Sequence, residues 1–147
     1  MSNTPLSAQQ IAEKVRDVMF ADDAASKGLG MQIEAIGPGL ASIQMVVQAN
    51  MLNGHGTCHG GFITTLADSA FAFACNSYNE ATVASGLSID FVAPAKLNDT
   101  LTAYATEVAL SGRTGVYDIA VKNQSGVLVA TMRGKSYRLK GRTVFPV

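Results

Sequence analysis

The chain has no tryptophan, two cysteines, two histidines and few charges, with Lys, Arg, Asp and Glu forming only 15 % of 147 residues. Each scarcity excludes something. The formal charges cancel, with 11 of each sign, so no basic excess points to nucleic acid and no polybasic tract to a membrane surface. No eighteen-residue apolar run is present, which argues against a membrane-spanning helix. Cys58 and Cys75 lack a spaced framework and are expected as free thiols in a reducing compartment, hence the cytoplasm. Near the start, Glu13, Lys14, Arg16 and Asp17 stand where a signal peptide needs an apolar core. Charge this sparse beside 48 % apolar residues implies that some surface is hidden between subunits.

What is present reads as one α+β domain over 1–147, with a helical extension over 1–28 and a tail over 140–147 that carries no readable signal. Ser7 with Gln10 three residues later predicts a capped helix, apolar at Ile11, Val15, Val18 and Met19. Residues 31–36 and 40–47 predict a hairpin across Gly-Pro-Gly. Four more strands are expected at 82–92, 101–110, 114–121 and 127–139, and the turn formers between the last three predict an antiparallel meander. Between the two groups lies one long apolar helix. The expected architecture is a curved antiparallel sheet around that helix, which needs cover on a second face as well.

Residues 53–76, NGHGTCHGGFITTLADSAFAFACN, carry the chemistry. Asp68 is the only Asp, Glu, Lys or Arg between Glu34 and Glu80. A carboxylate in an apolar helix is expected to be buried, with a raised pKa, and such groups gather at functional sites. Gly60 and Gly61 open the helix, where unpaired N–H groups and the positive dipole end suit an anion or a developing oxyanion. The plainer reading is a flexible Gly-Gly connection. His59 reads as loop-fixing before it reads as a base. Zinc is disfavoured because neither C-x-x-C nor H-E-x-x-H spacing occurs around His55, Cys58 and His59. Asn53 brings a donor and an acceptor, or simply a turn in Asn-Gly. Gly60 and Asp68 are eight residues apart, about 12 Å along one helix. If both serve one substrate, they come from two copies of the chain.

The segments N-G-x-x-x-x-H-G-G and L-A-D-x-A-F-A, with Ile89-Asp-Phe91, Gly112-x-x-Gly115-Val-Tyr-Asp and Gly134-Lys135, resemble the hotdog-fold acyl-CoA thioesterases. The similarity runs over 29–139 and is greatest to the phenylacetate-degradation (PaaI-type) branch. It implies a sheet wrapped around one helix and homodimers that join sheets, often as dimers of dimers. It implies hydrolysis of an acyl-CoA, of phenylacetyl or hydroxyphenylacetyl type, to free acid and coenzyme A without any further cofactor. By the same resemblance Asp68 is the nucleophile or the base for water, and Gly60 provides the oxyanion-hole amide. Asn53 and His59 orient carbonyl, water or loop, and Ser88 is the residue whose hydroxyl helps place water. Met51, Leu52, Gly61, Phe62 and Leu66 are expected near the acyl group. Arg113, Gly115 and Lys135 are expected near the nucleotide, with Arg138 and Lys96 as further cations; each cation also has a plain reading as a solvated charge. Two alternatives stand beside this one. A hotdog hydratase or dehydratase lacks its acid–base pair here, and a non-catalytic acyl-CoA-binding protein would share the fold.

Overall fold

A computed structural model describes residues 4–147; the first three residues of the expected 1–28 extension lie outside them. The elements are α1 (Ala8–Ala21), α2 (Ala24–Gly28), β1 (Gln32–Gly37), β2 (Leu40–Val46), a 3-10 turn, α3 (Gly60–Asn76), β3 (Thr82–Phe91), β4 (Thr100–Ser111), β5 (Thr114–Lys122) and β6 (Leu128–Arg138). The strands form one antiparallel sheet in the order β1-β2-β4-β5-β6-β3, with α3 laid across one face. This is the architecture that the element order and the resemblance implied.

Local chemistry sets the ends of the elements. Ser7 Oγ accepts the Gln10 N–H at 3.1 Å while Gln10 Oε1 accepts the Ser7 N–H at 2.9 Å, a closed capping box. The expected β4-β5-β6 meander forms. Strand β3, however, crosses the whole sheet to pair with β6 rather than with its sequence neighbour β4. Strand alternation then sends Ile43, Leu101, Tyr117, Ile119 and Met132 toward α3. Ile63, Leu66, Ala67, Ala70, Phe71 and Ala74 answer from the helix, and burial of a side chain such as Phe71 contributes about 1.5–3 kcal/mol.

The second cover on α3 comes first from the chain itself. The Phe20 ring meets Phe73 at 6.3 Å between centroids, and Ser26 Oγ lies 2.9 Å from Ser69 Oγ. Helices α1 and α2 therefore close one long side of α3. They leave open a stripe holding Gly61, Thr65, Asp68 and Ala72. The tail is also structured. Asn79, in the left-handed region at φ 64, takes the Val144 and Phe145 N–H groups on Oδ1 and donates Nδ2 to the Phe145 carbonyl. No local signal in 140–147 marks this clasp, because its partner is 65 residues away. Among the described residues no helix is long and apolar enough to cross a membrane.

Candidate active site

The start of α3 is held from both sides. The Cys58 N–H donates to the Ala95 carbonyl and the His59 N–H to the Met51 carbonyl, each at 2.8 Å. The loop before it is organised by Asn53, whose Oδ1 accepts the N–H groups of His55 at 2.9 Å and Thr57 at 3.3 Å. His59 caps the helix: its Nδ1 accepts the Gly61 N–H at 2.9 Å, which places the ring proton on Nε2, while the Phe62 N–H returns to the His59 carbonyl. Two of the first three amides are thus satisfied locally. The Gly60 N–H is the one without a partner among the described residues, and Gly60 lines a cavity of about 440 Å³ with Asn53, Thr57, Cys58, Ile63, Phe91 and Pro94. A helix-terminal amide facing a cleft is an anion or oxyanion donor. The Asn53 Nδ2 likewise has no partner among the described residues.

Glycine at position 60 is a matter of space. A Cβ there would stand 2.8 Å from Cζ of Phe91, so the ring of β3 rests directly on the Gly60 backbone. Phe91 was missed in the sequence. The alternation Leu87, Ile89, Phe91 was its signal, because it puts all three on the face toward α3.

Asp68 is not buried as expected. Its position on the open stripe leaves it exposed, although apolar neighbours withdraw enough water from the carboxyl to raise its pKa. Both hold for a group at the edge of a groove. Asp68 and the Gly60 cavity do not meet within one chain: Asp68 is not among the residues that line it.

The remaining expected site residues separate. Phe62 and Leu52 are partly exposed beside this region, with the Phe62 ring edge-on to His59. Met51 and Leu66 are fully buried, so they build the core instead of an acyl surface. Gly115 faces inward on β5, where a Cβ would lie 2.5 Å from Ser136 Oγ and 2.8 Å from Leu110 Cδ2; its role is close packing. Ser88 pairs with Arg133 and points to the outer face, away from Asp68, because strand parity sends neighbours of Leu87 and Ile89 outward. Lys135 is exposed on the same outer face. Arg113 lies elsewhere, in a cavity of about 380 Å³ shared with Arg138, Lys140 and Arg142. Its Nη1 donates to Tyr137 OH at 3.3 Å, and Arg138 pairs with Glu80 at 3.0 Å. Lys96 is in the exposed loop beyond β3. Both cysteines are free and buried, and burial pushes the Cys75 thiol up to about 12. Among the described residues no three His, Cys, Asp or Glu side chains gather as a metal cluster.

Fold and cleft together define a hotdog thioesterase architecture, and comparison with known proteins agrees: the thioesterase superfamily pattern matches residues 55–130, and the chain belongs to that superfamily. It is 50 % identical over 123 residues to acyl-coenzyme A thioesterase PaaI of Escherichia coli, covering 84 % of this chain and 88 % of that one. The solved structure of the E. coli PaaI protein, from the phenylacetic acid degradation operon, superposes with a TM-score of 0.91 at 47 % identity, over 93 % of this chain and 99 % of that one. A hypothetical thioesterase protein from Streptococcus pneumoniae, solved with coenzyme A, matches with a TM-score of 0.78 at 26 % identity, over 88 % and 99 % of the two chains.

Proposed function

We propose that this thioesterase hydrolyses an aryl acyl-CoA, of phenylacetyl or hydroxyphenylacetyl type, to the free acid and coenzyme A, in a homodimer whose two sites are shared between subunits. The observation that carries this is the unpaired Gly60 N–H at a cleft, with the exposed carboxylate of Asp68 two turns further along the same helix. An antiparallel pair of α3 helices brings each Asp68 to the other copy's Gly60. The free edge of β3 and the apolar side chains exposed along it favour such a pairing. The relatives named PaaI, and the coenzyme A bound to the pneumococcal protein, support the substrate class.

In this site Asp68 takes a proton from water, and the oxygen attacks the thioester carbonyl carbon. The carbonyl oxygen becomes an oxyanion against the Gly60 N–H, a donor of a kind worth about 3–4 kcal/mol to the transition state. The C–S bond then breaks, and the coenzyme A thiolate leaves and is protonated. The raised pKa of Asp68 suits a base, because it increases the carboxylate's affinity for the proton. The Asn53 Nδ2 and the His59 Nε2–H are donors available to carbonyl or water. Antiparallel pairing also carries the Arg113 cavity, near the start of one β3, toward the Gly60 end of the other, where it meets the phosphates of coenzyme A. The reaction calls for no cofactor. We place it in the cytoplasm, in keeping with two free thiols, with the dimers paired as tetramers.

Thiol release from phenylacetyl-, hydroxyphenylacetyl-, benzoyl- and straight-chain acyl-CoAs tests the proposal. Wild type turns over the aryl substrates fastest, and Asp68→Asn loses at least about a hundredfold. A single turnover in ¹⁸O-water leaves no label in the protein, as base catalysis requires. Binding of acyl-CoA without turnover would replace the proposal with a non-catalytic role.

A further inference from the structure

The end of α3 is fastened by four consecutive side chains, and one of them differs in kind from the rest. Asn76 holds Thr82, accepting its N–H at 2.8 Å and donating to its carbonyl at 3.0 Å. Ser77 Oγ accepts the Gly39 N–H at 2.8 Å, and Asn79 clasps the tail. Those three bind backbone. Tyr78 alone reaches other side chains. Its hydroxyl donates to Glu107 Oε1 at 2.8 Å, and the Arg138 guanidinium lies over its ring, 5.3 Å from the centroid.

Glu107 leads back to the helix. It stands directly opposite Tyr117 and so shares the inner face of the sheet, where a carboxylate needs hydrogen bonds to be tolerated. None of the ion pairs among the described residues includes it. It also accepts the Tyr117 hydroxyl at 3.2 Å, and the Tyr117 ring packs on Phe71 with 5.5 Å between centroids. Phe71 is one turn along α3 from Asp68. Burial and the bond to Glu107 push the Tyr78 hydroxyl up to about 12, so it keeps its proton and remains a donor. The carboxylate therefore ties α3 to β4 at two levels: at the helix end through Tyr78, and near Asp68 through Tyr117 and Phe71.

Arg138 leads the other way. It lines the cavity of about 380 Å³ with Arg113, Lys140 and Arg142, and Glu80 is the one acid there among the described residues. Its Nη1 pairs at 3.0 Å with Glu80, a half-exposed carboxylate. A phosphate drawn in by the other three cations gives the guanidinium a further charged acceptor. Held between phosphate and ring, Arg138 fixes Tyr78, and Tyr78 fixes the end of α3. We propose that Tyr78 is a positioning residue linking the phosphates of coenzyme A in this cavity to Asp68, so that the nucleotide raises turnover as well as affinity. This rests on the phosphate site proposed above. Binding energy from a remote part of a substrate serves the chemistry when it orders the reacting groups, and misplacement by about an ångström can cost about a hundredfold.

The test compares two phenylacetyl thioesters, one of coenzyme A and one of N-acetylcysteamine, which keeps the reacting bond and lacks the nucleotide. In wild type, kcat is expected to be about tenfold or more higher for the coenzyme A ester. Tyr78→Phe keeps the ring and loses the Glu107 bond. It lowers kcat chiefly for the coenzyme A ester and brings the ratio close to one, while KM for that ester changes less than about twofold. Ser77→Ala removes a neighbouring anchor; it lowers Tm and leaves the ratio as in wild type. Three results would overturn the proposal. An equal proportional fall for both esters in Tyr78→Phe would make its role structural only. A wild-type ratio near one would deny the nucleotide any part in turnover. Collapse of the ratio in Ser77→Ala would mean that any loosening of the helix end suffices. If wild type hydrolyses neither ester, the thioesterase proposal falls, and binding judges the link by itself. The chain has no tryptophan, so tyrosine emission reads directly. Inorganic pyrophosphate is then expected to shift the emission of wild type, and to shift that of Tyr78→Phe less at equal saturation. An equal shift in both, or none in either, overturns the link.

Discussion

The two edges of the sheet differ in almost every respect. At the β1 edge, α1 lies alongside and Gln9 Nε2 donates to the Ile36 carbonyl at 2.8 Å, occupying a backbone group that would otherwise invite another strand. Glu34 sits within a bulge at Ile33/Ala35, so charge and irregularity blunt that edge further. At the β3 edge none of the described residues forms a further strand. Its bulge is confined to Ala84/Gly86, so 86–91 run straight, and Leu87 and Phe91 are exposed on the inner face. One edge is finished within the chain. The other, beside the open stripe of α3 that carries Asp68, is left open among the described residues, as the proposed second copy requires.

The contrast predicts unequal responses to matched changes. The largest is at the free edge. Ile89→Glu puts a charge on the apolar inner face of β3, and with the dimer proposed above sedimentation is expected to show monomers that have lost at least about a hundredfold in turnover. A stable monomer with full activity would end the shared-site proposal. Next come two glycines. In Gly60→Ala the new methyl meets the Phe91 ring at 2.8 Å and shifts ring and amide together; kcat should fall about a hundredfold, the cost of roughly an ångström of misplacement. In Gly37→Ala on the closed edge the nearest atom is the flexible Gln9 Oε1 at 3.2 Å, and kcat should be unchanged. Smaller still is Gln9→Ala, which should cost about 1 kcal/mol in denaturant unfolding and leave dimer and turnover intact.

The smallest effect is on thermal stability at the open stripe. The folded-state pKa of Asp68 is raised, so between the unfolded and folded values the native chain binds more protons than the unfolded one. Stability therefore falls as pH rises through that window and stays lower above it. Asp68→Asn should unfold at a slightly higher temperature than wild type near neutral pH, with the gap closing below about pH 4, the unfolded carboxylate range. A lower Tm for the variant at neutral pH would show that the carboxylate is held by a favourable partner.

Much of this was legible in the sequence, and the boundary is physical. The capping box at Ser7, the Gly-Pro-Gly hairpin, the meander turns and the apolar periodicity of α3 are short-range facts, and each element lies within a few residues of its expectation. The same holds for the distance between Gly60 and Asp68, because the rise of a helix is constant. Side-chain direction was harder. Ser88, Gly115, Leu66 and Met51 looked like site residues by position. Ser88 turns outward and Gly115 inward because strand partners far along the chain decide which face is buried, and Leu66 and Met51 are covered by the core that the helix and sheet enclose.

The sequence alone determined the elements and their order, both consequences of local dihedral preference and periodicity. Only the tertiary structure decided that β3 would cross to the far edge of the sheet, that α1 and α2 would close one side of α3, and that Phe91 would rest on Gly60. Those outcomes depend on contacts between residues widely separated in the chain, selected by how the whole apolar surface is buried, and no local window contains that information.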